Sequence, residues 1–460
     1  MATISSQGIG SGLDVKTIVS QLVALEKQPL TKLQTNAAVI NTKISVFGQI
    51  KSLVSTLSTA AGTLNSLTTW NAVSATSSNT AAVTASAVGG TSSNAFTFQV
   101  TALAKAQSYA SNSLPLPAGT PLGAGTLSIT MTGATSPVDI AVLATDSVSE
   151  IASKINGSGV GVTAAVLNDA SGERLLLRSK TTGVANGFTV SVTDNDGNNT
   201  DASGLSRLVN NATTVAAQDA TATINGSIPV TSSTNTFSNV VSGVTLTAKE
   251  VMTTAADITV SPNTGAVTSA VDGFVKAYND LNTMLQELTK YDAGTKKAGL
   301  LQGDTTAVSL QTAIRGVLQS TSTGSVYSRL SDVGISAELG GNLVVDKSKL
   351  SAALENGTEV KKLFTTDNNN TLTNGFALKL KKFADGLLAS DGFFGTKDAS
   401  LKRSLESNSK DQARVNDKVA RVEAALNRRY NALDAQMSKL TALNSYVAQQ
   451  VTTWNKSSSG

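Results

Sequence analysis

Three clusters in this 460-residue chain have residue types that could do chemistry, and each misses the spacing its chemistry needs. Gly8-x-Gly10-x-Gly12 has the glycines of a phosphate-cradling loop. No strand-like run precedes it and the spacing is not G-x-G-x-x-G, so it reads as a flexible tail. Asp194-Asn195-Asp196-Gly197-Asn198 begins like a calcium loop. Its Gly stands at the fourth place rather than the sixth, and Leu205 takes the twelfth, where a bidentate Glu is required; a surface turn between strands accounts for it. Arg428-Arg429-Tyr430 sets two cations beside a ring, as anion and nucleic-acid sites do. It lies on a long helical repeat, where charges beside a seam serve to solvate it. The chain has no Cys and no His, which excludes thiol nucleophiles, Ser-His-Asp triads, zinc fingers and His-ligated metals. With no paired carboxylates in a catalytic setting, it reads as a non-enzyme without metal or cofactor.

Composition narrows the class further. Lys plus Arg is 36 and Asp plus Glu is 32, so 36 − 32 = +4, and aromatics are sparse; no nucleic-acid partner is expected. Charged residues make up only 15%, and Ala, Ser, Thr, Asn and Gly dominate the remainder. That mixture suits β-rich extracellular surfaces and assembly interfaces. No apolar run approaches the roughly 20 residues of a membrane span, so no membrane insertion is expected. Residues 1–19 lack the basic start and apolar core of a secretory signal, which points to export, if any, without cleavage.

The elements that organise the chain are its helical ends. Leu405, Gln412, Val419, Leu426, Leu433, Leu440, Val447 and Trp454 fall seven apart, broken only by Gln412, with neither Pro nor Gly in 399–459. A repeat of seven keeps one side chain per two turns on a seam that packs along another helix. At 1.5 Å per residue, 401–454 would form a rod of roughly 80 Å. The N-terminal end matches it, with Leu33, Ile40, Phe47 and Val54 in one seam and Lys43, Ile50, Leu57 and Leu64 in a second. Asp14 can cap a helix on which Val15, Ile18, Val19, Leu22 and Leu25 recur, and Pro29 marks a break. Residues 1–12 are expected to be unstructured in isolation.

Between these ends, about 73–261, the period becomes two. Phe96, Phe98 and Val100 alternate with polar residues, as do Leu127, Ile129 and Met131, then Phe188, Val190 and Val192, then Val244, Leu246 and Ala248. Ser147 and Glu150 form a capping box for one helix bearing Val148, Ile151 and Ile155. Leu114-Pro115-Leu116-Pro117-Ala118-Gly119 looks like a crossing between two β-rich parts. Helical spacing returns at Val267, Val271, Phe274, Tyr278, Leu281, Leu285 and Leu288. The fold class is therefore α+β and multidomain: terminal helices form a coiled-coil-like stem and legs, with two inserted β-rich head domains. The boundaries expected are 1–44 and 405–460 for the legs, 45–72 and 266–404 for the stem, 73–114 and 215–265 for the inner head, and 115–214 for the outer head. Residues 45–67 are expected to pack against 266–290 and the early C-terminal helix. The C-terminal segment from about Val422 onward has too narrow an apolar seam to be stable alone, and it is expected to be largely disordered in the monomer and helical on assembly.

Gly8-Ile9-Gly10-Ser11-Gly12-Leu13-Asp14-Val15, with Ile18, Val19 and Leu22, resembles the N-terminal motif of the bacterial flagellar filament cap family, hook-associated protein 2. Leu433-Asp434-Ala435-Gln436-Met437, with Leu440, Ser445-Tyr446 and Gln449-Gln450, resembles that family's last helix. Leu103-Ala104-Lys105-Ala106-Gln107 looks like the end of its first head strand, and Ala222-Thr223-Ile224-Asn225-Gly226 is similar to its Ile-Asn repeat. The resemblance implies a homo-oligomeric ring at the distal tip of the flagellum, outside the cell. Such a ring prevents flagellin leakage and promotes flagellin folding and polymerisation. The partners it implies are flagellin, the flagellar type III export apparatus and an export chaperone, with host mucin or glycans under an adhesin reading. Another flagellar axial protein of the hook–filament junction is a second alternative. The assembly interface is placed on the terminal helices, at Leu13, Ile18, Leu22, Leu25, Val419, Leu426, Leu433, Leu440 and Val447.

Overall fold

A computed structural model describes residues 14–457. Ten α-helices occur among them in chain order: α1 Val15–Glu26, α2 Gln28–Asn65, α3 Leu67–Trp70, α4 Val148–Gly157, α5 Thr264–Thr289, α6 Thr305–Gln319, α7 Lys347–Leu354, α8 Gly357–Thr365, α9 Phe376–Leu388 and α10 Phe393–Ser457. Two compact units result. One is made from both ends of the chain, up to Ser66 and from Thr268, and the other is Leu67–Val267. The Gly-rich segment of residues 1–12 lies outside the described residues.

In the terminal unit, Pro29 stands in the first turn of α2, where its missing N–H costs nothing. From there α2 buries Phe47, Ile50, Val54, Leu57, Ala61 and Leu64, alternately three and four apart. This 3–4 alternation keeps a single seam against its neighbours, and those neighbours are α9 and α10. Of the two partners the sequence suggests for this seam, the early C-terminal helix is present as α10, whereas 266–290 is replaced by α9, whose Phe376, Ala377, Leu380 and Ala384 are buried. Helix α5 sends polar groups elsewhere: Asn279 exchanges two hydrogen bonds with Leu343 and Asn282 bonds Asn342. One polar post joins three elements. Lys397 of α10 lies 4.9 Å over the Phe47 ring of α2 and 3.1 Å from Asp304, the N-cap of α6. Burial pushes the Asp304 carboxyl up, but the Lys397 and Thr306 hydrogen bonds outweigh it and hold the group below the ordinary carboxylate range.

The Leu67–Val267 unit has two apolar cores. The first lies under a five-stranded antiparallel sheet, in order Val73–Ser77, Ala256–Pro262, Asn94–Ala102, Ala220–Ile224 and Ile228–Ser232. A three-stranded sheet of Thr236–Val241, Val244–Ala248 and Val83–Ala87 shares that core, where Phe98 meets Phe237 edge-on at 5.3 Å. The second core joins a four-stranded sheet (Thr213–Val215, Ser108–Ala110, Gly172–Ser179, Val162–Asp169), a three-stranded sheet (Val138–Val142, Gly125–Met131, Phe188–Asp194) and α4. The capping box on α4 is formed, Glu150 accepting from Ser147 N at 2.7 Å.

The crossing between the two cores differs from the Pro-rich stretch the sequence suggests. Lys105 and Gln218 exchange both backbone hydrogen bonds, so the chain enters and leaves side by side there. Beyond that point Tyr109 and Leu114 are buried in the second core. Leu114 is apolar enough to be drawn inside, and the prolines that follow only turn the chain over that module's surface. The Asp194 turn is a polar knot, its carboxylate accepting from Ser206 N at 3.1 Å and Asn199 capping Asp194 N at 2.7 Å.

Ile50→Ala should cost about 2–5 kcal/mol in chemical denaturation, because the side chain is wholly enclosed. Gly48→Ala, two residues away in α2 with nothing within 4 Å of an added Cβ, should instead stabilise by up to about 1 kcal/mol. The Asp304 contribution has a defined pH sign. With its folded pKa depressed, it is fully present above the ordinary carboxylate pKa and lost as pH falls through the folded value. Asp304→Asn should therefore melt below wild type at pH 7, and melting curves should start to approach each other only below about pH 4, meeting once pH is under the folded value.

Candidate assembly interface of the terminal helices

Helix α1 is started by Asp14, whose carboxylate accepts from Thr17 Oγ1 at 2.6 Å and Thr17 N at 3.0 Å. Those two bonds hold its carboxyl below the ordinary range. Val15, Val19 and Val23 follow four apart, so they share one face. All three are buried in a small cluster with Val419 of α10, flanked by half-buried Val415, Leu426 and Tyr430. Glu26 and Lys418 meet at 2.9 Å beside it, largely in solvent, where the pair is worth little.

Further along, Gln412 shows why the seven-residue stripe breaks. Buried Asn408 reaches across to α2 and donates to the Leu33 carbonyl at 3.1 Å, while Gln412 Nε2 donates to Asn408 Oδ1 at 2.6 Å. A polar clasp thus replaces an apolar knob, and it fixes the register of α10 on α2.

Past Tyr430 the surroundings of α10 change. Every described side chain of 431–455 is exposed apart from half-buried Asp434. Leu433, Met437, Leu440, Val447, Val451 and Trp454 follow a 4–3 alternation interrupted only at Asn444, and Leu443 and Tyr446 widen the same stripe. Leu440 is 58% and Trp454 75% exposed, so this apolar line meets solvent in the single chain. Helix α10 runs on through Ser457, so the segment from Val422 onward, expected to be largely disordered in the single chain, is instead helical, as a continuation of the packed part of α10.

The nine residues chosen from the sequence divide accordingly. Leu13 lies outside the described residues. Val419 is enclosed by the chain's own α1 and Leu426 is half-covered there, so these two serve the intramolecular pairing. Ile18 is half-buried, whereas Leu22 and Leu25 point away from α10 and are 37% and 60% exposed. Leu433, Leu440 and Val447 are uncovered. Sequence reasoning missed that Val15, Val19 and Val23, not Ile18, Leu22 and Leu25, are the contact face of α1. The i, i+4, i+8 valine spacing was the available signal. It also missed Met437 and Val451, which complete the second half of each heptad.

Nothing along these helices converges as a catalytic group would, and no group of three or more metal-ligating side chains occurs among the described residues. What the arrangement offers is binding: a capped, packed helical pair that continues as a bare apolar stripe on a rod of about 97 Å for its 65 residues.

Comparison with known proteins agrees over almost the whole chain. Family models described as flagellar hook-associated protein 2 N-terminus and C-terminus match residues 11–107 and 217–442. A model described as flagellin hook IN motif matches 126–181. That range holds Ile155-Asn156 rather than Ile224-Asn225, where the sequence had placed the motif. Both Asn side chains pin a neighbouring strand: Asn156 exchanges two bonds with Ala164 at 2.8 Å, and Asn225 accepts from Thr97 N at 3.0 Å. Among relatives, flagellar hook-associated protein 2 of Escherichia coli (strain K12) is 31% identical, the alignment covering 98% of each chain. The B-type flagellar hook-associated protein 2 of Pseudomonas aeruginosa is 29% identical over 96% of each. The solved D1-D2-D3 domains of the Escherichia coli flagellar cap protein match with a TM-score of 0.60 at 29% identity, covering 78% of this chain and 99% of that one.

Two aspartate substitutions on one helix should separate the packed from the bare part. Val419→Asp buries an unpaired carboxylate, so α1 should detach and its amides exchange markedly faster. Leu440→Asp, on the bare stripe, should leave the stability of the single chain within about 0.5 kcal/mol of wild type. Equal effects from the two would contradict this division.

Proposed function

The chain belongs to the flagellar hook-associated protein 2 family, and on that premise we propose that it caps the distal tip of a flagellar filament as a ring of identical copies. The observation that carries this reading is the exposed apolar stripe from Leu433 to Val451, which continues a helix whose earlier part is already packed. In the proposed assembly the terminal segments, 1–44 and 405–460, act as legs that descend from a stem towards flagellin. Leu22 and Leu25 on α1 and Leu433, Leu440 and Val447 on α10 are the apolar contacts of those legs, joined by Ile18 and Leu13. Covering each such side chain is worth roughly 1.5–3 kcal/mol. The work is done by binding, with no bond made or broken.

A ring that occupies the growing end retains emerging flagellin, prevents its leakage and holds each subunit while it folds and polymerises. The same reading puts the protein outside the cell, delivered by the flagellar type III export apparatus with an export chaperone. Family membership disfavours the hook–filament junction alternative, and the adhesin reading with host mucin or glycans gains no support from any feature of the two β cores.

Leu433→Asp places a charge in the bare stripe. The purified chain should melt as wild type, while cells carrying the variant should release flagellin into the medium and bear short filaments or none. A motility assay with an immunoblot of the medium checks this, and normal swimming would refute the leg contact.

A further inference from the structure

The short hairpin Ile335–Ala337 with Leu343–Val345 carries at its tip Leu339, the most exposed large apolar side chain among the described residues, which shows all of its surface. A single exposed Leu is ordinary on a protein surface; the way this one is held is not. The Gly340 carbonyl accepts from Gln286 Nε2 at 2.9 Å, Asn282 Nδ2 at 3.3 Å and Arg315 Nη2 at 2.6 Å, and the Gly341 carbonyl accepts from Tyr278 OH at 2.8 Å. Both glycines have positive φ, and a Cβ on Gly341 would strike the Arg315 guanidinium at 2.8–2.9 Å, so the turn is also sterically specified. The apex is therefore a preformed knob that loses little freedom on binding.

A matching recess lies across the same helix. Ala313, Gly316 and Val317 of α6, with Leu372 and Phe383, line an apolar groove of about 450 Å³ between α6 and α9. Its cations are Lys379, buried and donating to Ser320 Oγ at 2.9 Å and Thr321 O at 2.7 Å, and half-exposed Lys382 on the rim. Glu338, next to the knob, is exposed and forms no ion pair among the described residues, so apolar apex and flanking charge both complement the groove. Lys382 meets Asp367 at 3.2 Å, but an exposed pair of that kind is readily exchanged. At 100° per residue, Arg315 and Leu318 on the knob side lie about half a turn of α6 from Gly316, Val317 and Ala313 on the groove side. Knob and groove are thus different surfaces of one copy that meet at Ser320, as a heterologous contact requires, and such contacts close into a ring where the rotation between copies allows.

We propose that successive copies join by a head-to-tail contact in which the Leu339 turn of one seats in the α6–α9 groove of the next. This rests on the ring-forming reading above and names the surfaces that make the ring. The chain has no cysteine, so an introduced pair reports one contact cleanly. Leu339 faces solvent and a Cβ at Gly316 meets nothing within 4 Å, so neither substitution disturbs the fold. Full-length Leu339→Cys/Gly316→Cys should give a ladder of covalent oligomers on oxidation, and a mixture of the two single variants should give dimers only. Glu338→Lys should weaken self-association about tenfold or more in sedimentation, with recovery on adding Lys382→Glu. Wild-type oligomers with no covalent ladder from the double variant would overturn the contact while leaving the ring reading intact. Self-linking by Leu339→Cys alone would overturn it in favour of a two-fold contact. A wild-type chain that stays monomeric at every concentration would overturn both.

Discussion

The terminal unit depends on the covering of one apolar seam of α2. Phe47, Ile50, Val54, Leu57, Ala61 and Leu64 lie along more than four turns of helix, and no nearby segment is long enough to shield them. The cover comes from α9 and α10, more than 300 residues later; the Ser58–Asp385 hydrogen bond alone spans a separation of 327. Leaving such side chains wet forfeits roughly 1.5–3 kcal/mol apiece. The two halves of this unit can meet because Leu67–Val267, between them in the chain, folds around two cores of its own. The contacts that cover this seam are therefore non-local, which slows closure.

That seam also explains why α10 has two characters. While it runs beside α2 and α1, its facing positions are filled by Asn408, Gln412, Val415, Val419 and Leu426, a mixture of clasp and core. Past Tyr430 the apolar repeat continues with its side chains exposed among the described residues. A helix that stays amphipathic there keeps binding surface in reserve, and Leu440, Val447 and Val451 are that reserve.

Much of this was legible in the residues. The period of seven located α10, the period of two located the head strands, and Asp14, Pro29 and Ser147 with Glu150 marked helix starts, because capping and periodicity are local properties. What was not legible was pairing. Both faces of α1 are apolar, and only the position of Val415 and Val419, some 400 residues away, decides that the valines face inward. The choice of α9 beside α2 is likewise a matter of tertiary geometry. The Pro-rich stretch after Leu114 looks like a linker to any local rule, yet the burial of Leu114 puts the crossing earlier, at Lys105. The polar turn-holders Asn282 and Arg315 carry no motif and are visible only once the hairpin is in place.

Hydrogen exchange of α10 in the free chain and in caps on filament tips tests the central claim most directly. Amides of residues 399–426 should be protected in both states, because their cover is intramolecular. Amides of 431–455 should exchange rapidly in the free chain and become strongly protected in the cap. Equal exchange of 431–455 in the two states would contradict the account, since the bare stripe would then have no partner to find.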